Sequence, residues 1–399
     1  MRKLEPWLFF LLVCFLPSQL SYHYWPALVS SLPIRSDYLA ITVYFSDLLA
    51  VFLLFVHLLI HRPQINFYRR ISPRTIVLIF LLVLNTCFSV SPLLTLYHYL
   101  QILGYYLLFS YYFRTPFGRK LFLSGLLVSL SWVSLVGISQ FFFSHSLGGL
   151  FWWLGERPLD LSAPLIAKVN LGFFGPHLRV YATFPHPNAL AGFMLIALIF
   201  VDQIRNQLAA FPRLLTRLIF SLSLLCLFFT FSYSAVAAGI NYLIYQQLRH
   251  HFSRFKTWLV LGSVAGLEVL VYSLLRPASF LLRLSHIPVA VSGFFSHPLL
   301  GTGFGAYLLG VSDPILTLGS FYQPVHNLYL LLLVELGLPL FLLFIVSLIK
   351  HLRFLSPPLL TIMFLGLFDH YWLTSHANII FVVILITYYL SLTKTHVRS

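Results

Sequence analysis

The sequence predicts an all-α fold, a polytopic transmembrane helical bundle that forms a single integral membrane domain over residues 1–399. Hydrophobic residues make up 59% of the chain, charged residues only 9%, and the mean hydropathy is +0.89, whereas soluble proteins average roughly 25% charged residues. Long apolar runs recur along the chain, and lysine and arginine concentrate in alternate connections between them. A soluble core cannot bury this much apolar surface, so the protein is of the bacterial inner-membrane type.

The apolar runs predict about twelve spans. A helix needs about twenty mostly apolar residues to cross the hydrocarbon core, and fewer where its ends are polar. The first run follows Met1-Arg2-Lys3 and resembles a signal peptide, but no small-residue cleavage site follows it, so we interpret it as an uncleaved span. In chain order the predicted spans are 6–22, 38–60, 75–91, 93–113, 121–143, 187–202, 215–231, 233–248, 257–275, 326–349, 357–371 and 377–393.

The distribution of basic residues orients these spans, because cytoplasmic connections are enriched in lysine and arginine. With both termini in the cytoplasm, 19 of the 25 basic residues fall in seven cytoplasmic segments. This topology accounts for the net charge of +15 and removes the argument for nucleic-acid binding. Six basic residues remain outside: Arg35, Arg157, Lys168, Arg179, Arg276 and Arg283.

Two outside connections are long, about 144–186 and about 276–325. Long connections between packed elements usually bind ligands or carry catalytic residues. The first contains Phe151-Trp152-Trp153, aromatic residues that either anchor the chain at the membrane interface or stack on sugar rings. We therefore expect the functional site between these two connections.

Candidate site residues stand at the ends of both connections. Arg179 precedes Pro187-Asn188, where a helix N-terminus beside an arginine predicts either an anion site or a proline-capped interfacial helix. His326, followed by Asn327, is either a proton acceptor or a capping residue. The Gly301-Thr-Gly303-Phe-Gly305 run follows no predicted strand, so we interpret it as a close-packed turn rather than a nucleotide loop.

Acidic residues and all three cysteines lie within the predicted spans. Asp47, Glu268 and Glu335 are costly inside a membrane, but their spacing gives no proton relay, and they either pair with arginine or stay protonated. We expect structural roles for Asp47 and Glu268, and for Glu335 either a structural role or one that supports the site residues. The three cysteines lie in apolar runs without metal-ligand spacing, so neither a disulfide framework nor a metal site is predicted.

These segments together resemble the O-antigen ligase and O-antigen polymerase superfamily. The resemblance covers nearly the whole chain, with its core at 179–349. The chain differs from the family pattern at two places. It has Ser232-Tyr233-Ser234-Ala235 where an arginine often occurs, and Ile287 where a tryptophan often follows the loop arginine, here Arg283. The segments that carry the resemblance, in the expected order, are Arg179 with Thr183-Phe184 and Pro187-Asn188; Arg283 with His297-Pro298, Gly301 and Gly303; and His326-Asn327 with Glu335-Leu336-Gly337-Leu338-Pro339.

The resemblance implies a glycosyltransferase of GT-C-like architecture at the outer face of the inner membrane. Its donor would be an undecaprenyl-diphosphate-linked glycan and its acceptor a lipid, protein or glycan hydroxyl, as in the assembly of lipopolysaccharide and other cell-envelope polysaccharides. Transfer would be inverting, with no metal and no cofactor. In this sequence Arg179 and Arg283 would bind the diphosphate with help from Arg276, Asn188 and Asn327 would line the substrate site, and His326 would act on the acceptor.

Two other functions remain open. A polymerase of the same superfamily would add the glycan to another repeat unit, and the acceptor cannot be identified from these connections. A lipid or polysaccharide transporter without chemistry is the alternative from another class, although the chain shows neither a clear half repeat nor a midplane charge network.

Overall fold

The computed structural model describes residues 3–26, 29, 36–61, 72–115, 117–163, 166–311, 323–351 and 356–396. Most of these residues are helical. The helices are α1 Leu4–Cys14, α2 Phe45–Ile60, α3 Pro73–Cys87, α4 Pro92–Tyr112, α5 Gly118–Phe143, α6 Pro187–Gln203, α7 Arg213–Phe229, α8 Tyr233–Leu248, α9 Arg254–Leu275, α10 Pro277–Ser296, α11 Tyr307–Gly310, α12 Leu328–His351, α13 Pro357–Leu365, α14 Tyr371–Thr374 and α15 His376–His396. The prediction of a helical membrane protein is confirmed as a fold class.

Helix length and composition support membrane insertion. Among the described residues, three helical stretches are long and apolar enough to cross a membrane: Gly118–Phe143, Pro277–Ser296 and Leu328–Lys350. Six shorter apolar helices accompany them: Leu4–Cys14, Phe45–Ile60, Pro73–Cys87, Pro187–Gln203, Leu259–Leu275 and His376–Leu392. The number of spans, predicted to be about twelve, stays a prediction.

The first two predicted spans are shorter as helices than the apolar runs suggest. Strand β1, Ser21–Tyr24, pairs antiparallel with β2, Ile41–Tyr44, where continuous helix to residue 22 and from residue 38 was expected. Residues 41–43 are Ile-Thr-Val, which favour extended backbone. Apolar content alone does not distinguish a strand from a helix end, so the hairpin was missed.

Helix α6 lies at the centre of the bundle. Every side chain from Pro187 to Val201 is buried. It packs against α7, α8, α13 and α15, and small residues allow close approach: a Cβ at Gly192 would overlap the Tyr371 ring. The N-terminus of α6 is therefore held beside α14 and the turn that precedes it.

The predicted outer connection 276–325 contains a 20-residue helix, α10, rather than irregular chain alone. Helix α10 runs beside α12 in the same direction, since the His286 ring stacks on His326 and Pro298 O, just beyond α10, accepts a hydrogen bond from Leu338 N at 2.9 Å. The chain then turns back, and α11 packs near residues 37–39. Segment 277–311 thus runs along the first half of α12 and then folds back.

The glycine-rich turn, Gly301 to Gly305, supports this return. Thr302 N and Gly303 N donate to the carbonyls of Val334 and Glu335, at a kink in α12 where Gly337 has φ 72°. A Cβ at Gly301 would overlap the Glu335 carbonyl. The prediction of a close-packed turn is confirmed.

The predicted span 357–371 is also interrupted. Helix α13 ends at Leu365, and residues 366–370 form a turn before α14 begins at Tyr371. Leu328 N donates to Gly366 O at 2.7 Å, so this turn is fixed to the start of α12. The turn brings Asp369 and His370 to the site described next.

Candidate active site

A cavity of about 1100 Å³ lies where α6, α8, α9, α10 and the turn 366–370 meet. We call it the central cavity. Five of the six predicted site residues line it: Arg179, Asn188, Arg276, Arg283 and His326. The structure thus brings together residues that are up to 147 positions apart in the sequence.

Arg179 follows strand β4, Pro176–Leu178, which pairs with β3, Lys168–Asn170. Its Nε donates to the carbonyl of Thr230 at 2.7 Å, and its Nη2 donates to Asn188 Oδ1 at 2.9 Å. Burial lowers the pKa of this guanidinium to about 10, and the neighbouring charges of Arg276 and Arg283 contribute to that lowering. Arg179 therefore remains a fixed cation at neutral pH.

Arg283 is oriented by the turn that interrupts the last predicted spans. Its Nη1 donates to the carbonyl of Phe368 at 3.0 Å, its Nη2 lies 3.8 Å from Asp369 Oδ2, and its guanidinium lies over the Tyr272 ring. Arg276, more exposed, lies over the Tyr233 ring in the same way. Cation–π contacts of this kind hold an arginine in place without neutralising it.

Asp369 connects the two better-buried arginines. Its Oδ2 accepts a hydrogen bond from Asn188 Nδ2 at 3.2 Å, while Asn188 Oδ1 accepts from Arg179. A continuous path thus runs from Arg179 through Asn188 and Asp369 to Arg283. One buried carboxylate against three arginines leaves this wall of the cavity positively charged.

His326 lies two residues before the start of α12 at Leu328. Its ring stacks on His286 with centroids 5.5 Å apart and meets the His370 ring edge to face at 5.1 Å. Burial lowers the pKa of His326 to about 3, and the Asp369 carboxylate opposes that shift without reversing it. The imidazole is therefore neutral at pH 7 and able to accept a proton.

Asn327, the sixth predicted site residue, is not among the residues that line the cavity. Its Oδ1 accepts from the backbone N–H groups of Tyr329 and Leu330, and its Nδ2 donates to the Leu367 carbonyl. It caps α12 and attaches the turn 366–370 to it. In this structure Asn327 positions His326 next to Asp369 and His370.

The part of the central cavity that α8 and α9 line is mostly apolar, with Glu268 as its one acidic residue among those that the structure describes. Helices α8 and α9 line it with Val236, Ala237, Ile240, Val264, Leu267 and Val271. Tyr233 and Ser234, from the segment that departs from the family pattern, also line the cavity, and Arg276 lies over the Tyr233 ring. The cavity therefore offers a cationic end and a hydrophobic end.

The predicted structural acids have different surroundings. Asp47 accepts from Tyr44 N, Gln101 and Tyr105, and Glu335 accepts from the backbone N–H groups of Gly305 and Tyr307. Both carboxylates therefore join neighbouring elements of the fold. Glu268 lines the cavity, where its Oε2 accepts from Asn241 Nδ2 at 2.7 Å.

Sequence reasoning missed Asp369, His370 and His186, which also line the cavity. Asp369-His370 lay within a predicted span, and an ionisable pair in a membrane segment usually marks a functional site. That signal was present in the sequence. The ligand atoms of His326, Asp369 and His370 lie within 4.8 Å of one another, a spacing compatible with a metal ion as well as with a hydrogen-bonded group.

Comparison with known proteins identifies one family. Residues 187–345 match the family model described as O-antigen ligase, Wzy_C. No curated protein and no solved structure gives a significant match. The matched segment includes Asn188, Arg276, Arg283 and His326, whereas Arg179 and Asp369 lie outside it.

Proposed function

We propose that the chain is a ligase-type membrane glycosyltransferase of the O-antigen ligase superfamily, because residues 187–345 match the O-antigen ligase family model. It transfers a glycan from an undecaprenyl-diphosphate carrier to an acceptor hydroxyl at the outer face of the inner membrane. In this proposal the protein spans the membrane about twelve times in a GT-C-like arrangement, with both termini in the cytoplasm.

The observation that carries this proposal is the composition of the central cavity. Arg179, Arg276 and Arg283 line its cationic end, and α8 and α9 line its apolar end. A polyprenyl diphosphate has the same two parts, an anionic headgroup and a long hydrocarbon chain. A site that binds such a donor needs both surfaces to be continuous, as they are in this cavity.

The reaction that fits these residues is an inverting displacement. The acceptor oxygen attacks the anomeric carbon, the bond from that carbon to the diphosphate oxygen breaks, and the acceptor proton passes to His326. Arg179 and Arg283 bind the diphosphate and stabilise the charge that develops on it, because a guanidinium remains protonated and binds phosphate oxygens in pairs. Asp369 and Asn188 keep the two arginines oriented.

The direct test is transfer in vitro from a purified undecaprenyl-diphosphate-linked glycan to candidate acceptors, using the purified full chain. Arg179→Ala, Arg283→Ala and His326→Ala should each abolish transfer while leaving expression intact. Arg205→Ala and His250→Ala remove the same residue types far from the cavity and should leave transfer unchanged. Retained transfer in all three cavity variants would overturn the assignment of these residues.

Metal independence is tested in the same assay. The cluster of His326, Asp369 and His370 makes this test necessary, because imidazole and carboxylate groups are common metal ligands. EDTA should leave the rate unchanged if the arginines alone stabilise the leaving group. A loss of activity with EDTA that Zn²⁺ or Mg²⁺ restores would contradict this part of the proposal.

Product analysis distinguishes the ligase from the polymerase and from the transporter. Deletion of the gene should remove all attachment of the glycan if the protein is a ligase. Loss of long chains with single repeats retained would indicate a polymerase. A transporter would give no product at all in detergent, where no membrane separates donor and acceptor.

A further inference from the structure

A second cluster of ionisable residues lies away from the central cavity, where α1 begins and α2 ends. It consists of Glu5, His57 and His61, and we call it the α1–α2 cluster. His57 and His61 are four residues apart, a spacing that places two imidazoles on one face of a helix turn. Glu5, from the first turn of α1, lies opposite them.

The distances within this cluster are short. His57 Nδ1 lies 2.8 Å from Glu5 Oε1, and His61 Nε2 lies 3.1 Å from Glu5 Oε2. All three potential ligand atoms lie within 4.8 Å of one another. In a tetrahedral site with metal–ligand bonds of about 2.0–2.1 Å, ligand atoms lie about 3.4 Å apart, so the three groups reach a common ion after small side-chain movements.

We propose that the α1–α2 cluster is a binding site for a divalent transition-metal ion, of which Zn²⁺ is the best-fitting common example. Two imidazoles with one carboxylate are a recurring zinc ligand set that leaves a fourth position open to water. Imidazole ligands select transition metals over Mg²⁺ and Ca²⁺, which prefer oxygen. None of these three residues contributes to the proposed glycosyl transfer.

The surroundings support this assignment. Tyr112 on α4 donates a hydrogen bond to Glu5 Oε1 at 2.7 Å, the kind of outer contact that fixes a ligating carboxylate. Glu5 and His57 are largely buried, but the His61 side chain is 47% exposed, which leaves an entry path.

The ion would connect the ends of two helices that pack against each other but are separated by thirty residues of chain. A ligand that binds only the folded state raises the midpoint of thermal unfolding. Zn²⁺ should therefore stabilise the purified protein against heat, independently of its transferase activity.

The test uses the untagged full chain in detergent, freed of metal with chelator and titrated with ZnCl₂ by calorimetry. We expect one Zn²⁺ per chain at this cluster, and a loss of affinity of more than about 100-fold in His57→Gln/His61→Gln, because loss of outer contacts alone typically costs 10–100-fold. His250→Gln/His251→Gln removes two other histidines, and His326→Gln disrupts the cluster in the central cavity. Both controls should retain Zn²⁺ binding.

Three outcomes would overturn the proposal: no Zn²⁺ binding by the unmodified chain, equal binding by the His57→Gln/His61→Gln variant, or loss of binding in His326→Gln. If the double variant does not fold, X-ray absorption spectroscopy of the Zn²⁺-loaded unmodified chain identifies the ligand atoms of the ion. Two imidazole nitrogens with oxygen ligands support the site, whereas sulfur ligation or absence of imidazole overturns it.

Discussion

Asp369 has an unusual position for an acid beside a proposed diphosphate site, since its own charge repels the ligand. Its contacts explain the arrangement. Its carboxylate accepts from Asn188 and from the backbone N–H of His370, and it lies 3.8 Å from Arg283. Arg179, Arg276 and Arg283 repel one another, and the Asp369 carboxylate stabilises the group while leaving it cationic.

This role predicts the effect of Asp369→Asn. The amide keeps the size of the side chain but removes the charge that orients Arg283 and Asn188. Charge-assisted hydrogen bonds contribute about 1.5–3 kcal/mol, so we expect transfer to fall by about 10- to 100-fold. Kinetics with varied donor concentration check this, with Asp202→Asn, an acid bonded to Tyr242 at the other end of α6, as the matched control. Equal losses in both variants would contradict a specific role for Asp369.

The state of His326 predicts an uncommon pH dependence. Its pKa is lowered to about 3, so the imidazole stays neutral and competent as a base as the pH falls from 8 to 5.5. An unshifted histidine with a pKa of about 6.5 would lose about tenfold of its neutral form at pH 5.5. We therefore expect kcat/KM, which reports the free enzyme, to show no histidine-like decline over this range. A tenfold fall with a midpoint near 6.5 would show that a different or more exposed histidine is the base.

At the scale of elements, the glycine-rich turn and the kink of α12 depend on each other. Gly303 has φ 97°, and a Cβ there would overlap the Ser89 hydroxyl. The turn therefore cannot accept a side chain at this position without moving away from Ser89, which lies between α3 and α4. Helix α10 carries Arg283 and ends at Ser296, shortly before this turn. The position of Arg283 therefore depends on the turn as well.

Gly303→Ala should consequently destabilise the protein. A strained backbone at positive φ costs on the order of 1–3 kcal/mol, and the overlap with Ser89 adds to it. Gly266→Ala is the matched control, because Gly266 is helical and a Cβ there meets no atom within 4 Å. Thermal unfolding in detergent should show a lower midpoint for Gly303→Ala and no loss for Gly266→Ala. Equal midpoints would show that the turn tolerates a side chain.

Helix bounds followed from apolar runs for several of the predicted spans. Residues 233–248 are helical as predicted, and α6 begins at Pro187 as its proline position indicates. The hairpin β1–β2 and the turn 366–370 could not be found in this way. Both are set by contacts with distant segments, such as Leu328 N with Gly366 O, and such contacts leave little trace in local hydropathy.

For the molecule as a whole, the central cavity shows which part of the predicted set could be found from the sequence: five of the six predicted site residues line it, but their contact partners were not predictable. Arg179, Arg276 and Arg283 stand out in the sequence because they do not follow the positive-inside pattern. The partners of these residues depend on how the chain folds back. Asp369 reaches the arginines only because α13 ends early, and Asn327 turns from the cavity because it caps α12.

The orientation of the whole molecule is the remaining prediction. If both termini are cytoplasmic, the connection 144–186 lies outside and residues 249–256 lie inside. In a background with Cys14, Cys87 and Cys226 replaced by alanine, Ser162→Cys should react with a membrane-impermeant maleimide in intact spheroplasts. His250→Cys, also exposed in the structure, should react only after permeabilisation, which serves as the control for reactivity. Labelling of His250→Cys but not Ser162→Cys in intact spheroplasts would invert the topology and place the arginines of the central cavity on the cytoplasmic side, where the proposed donor would have to be used before it is flipped.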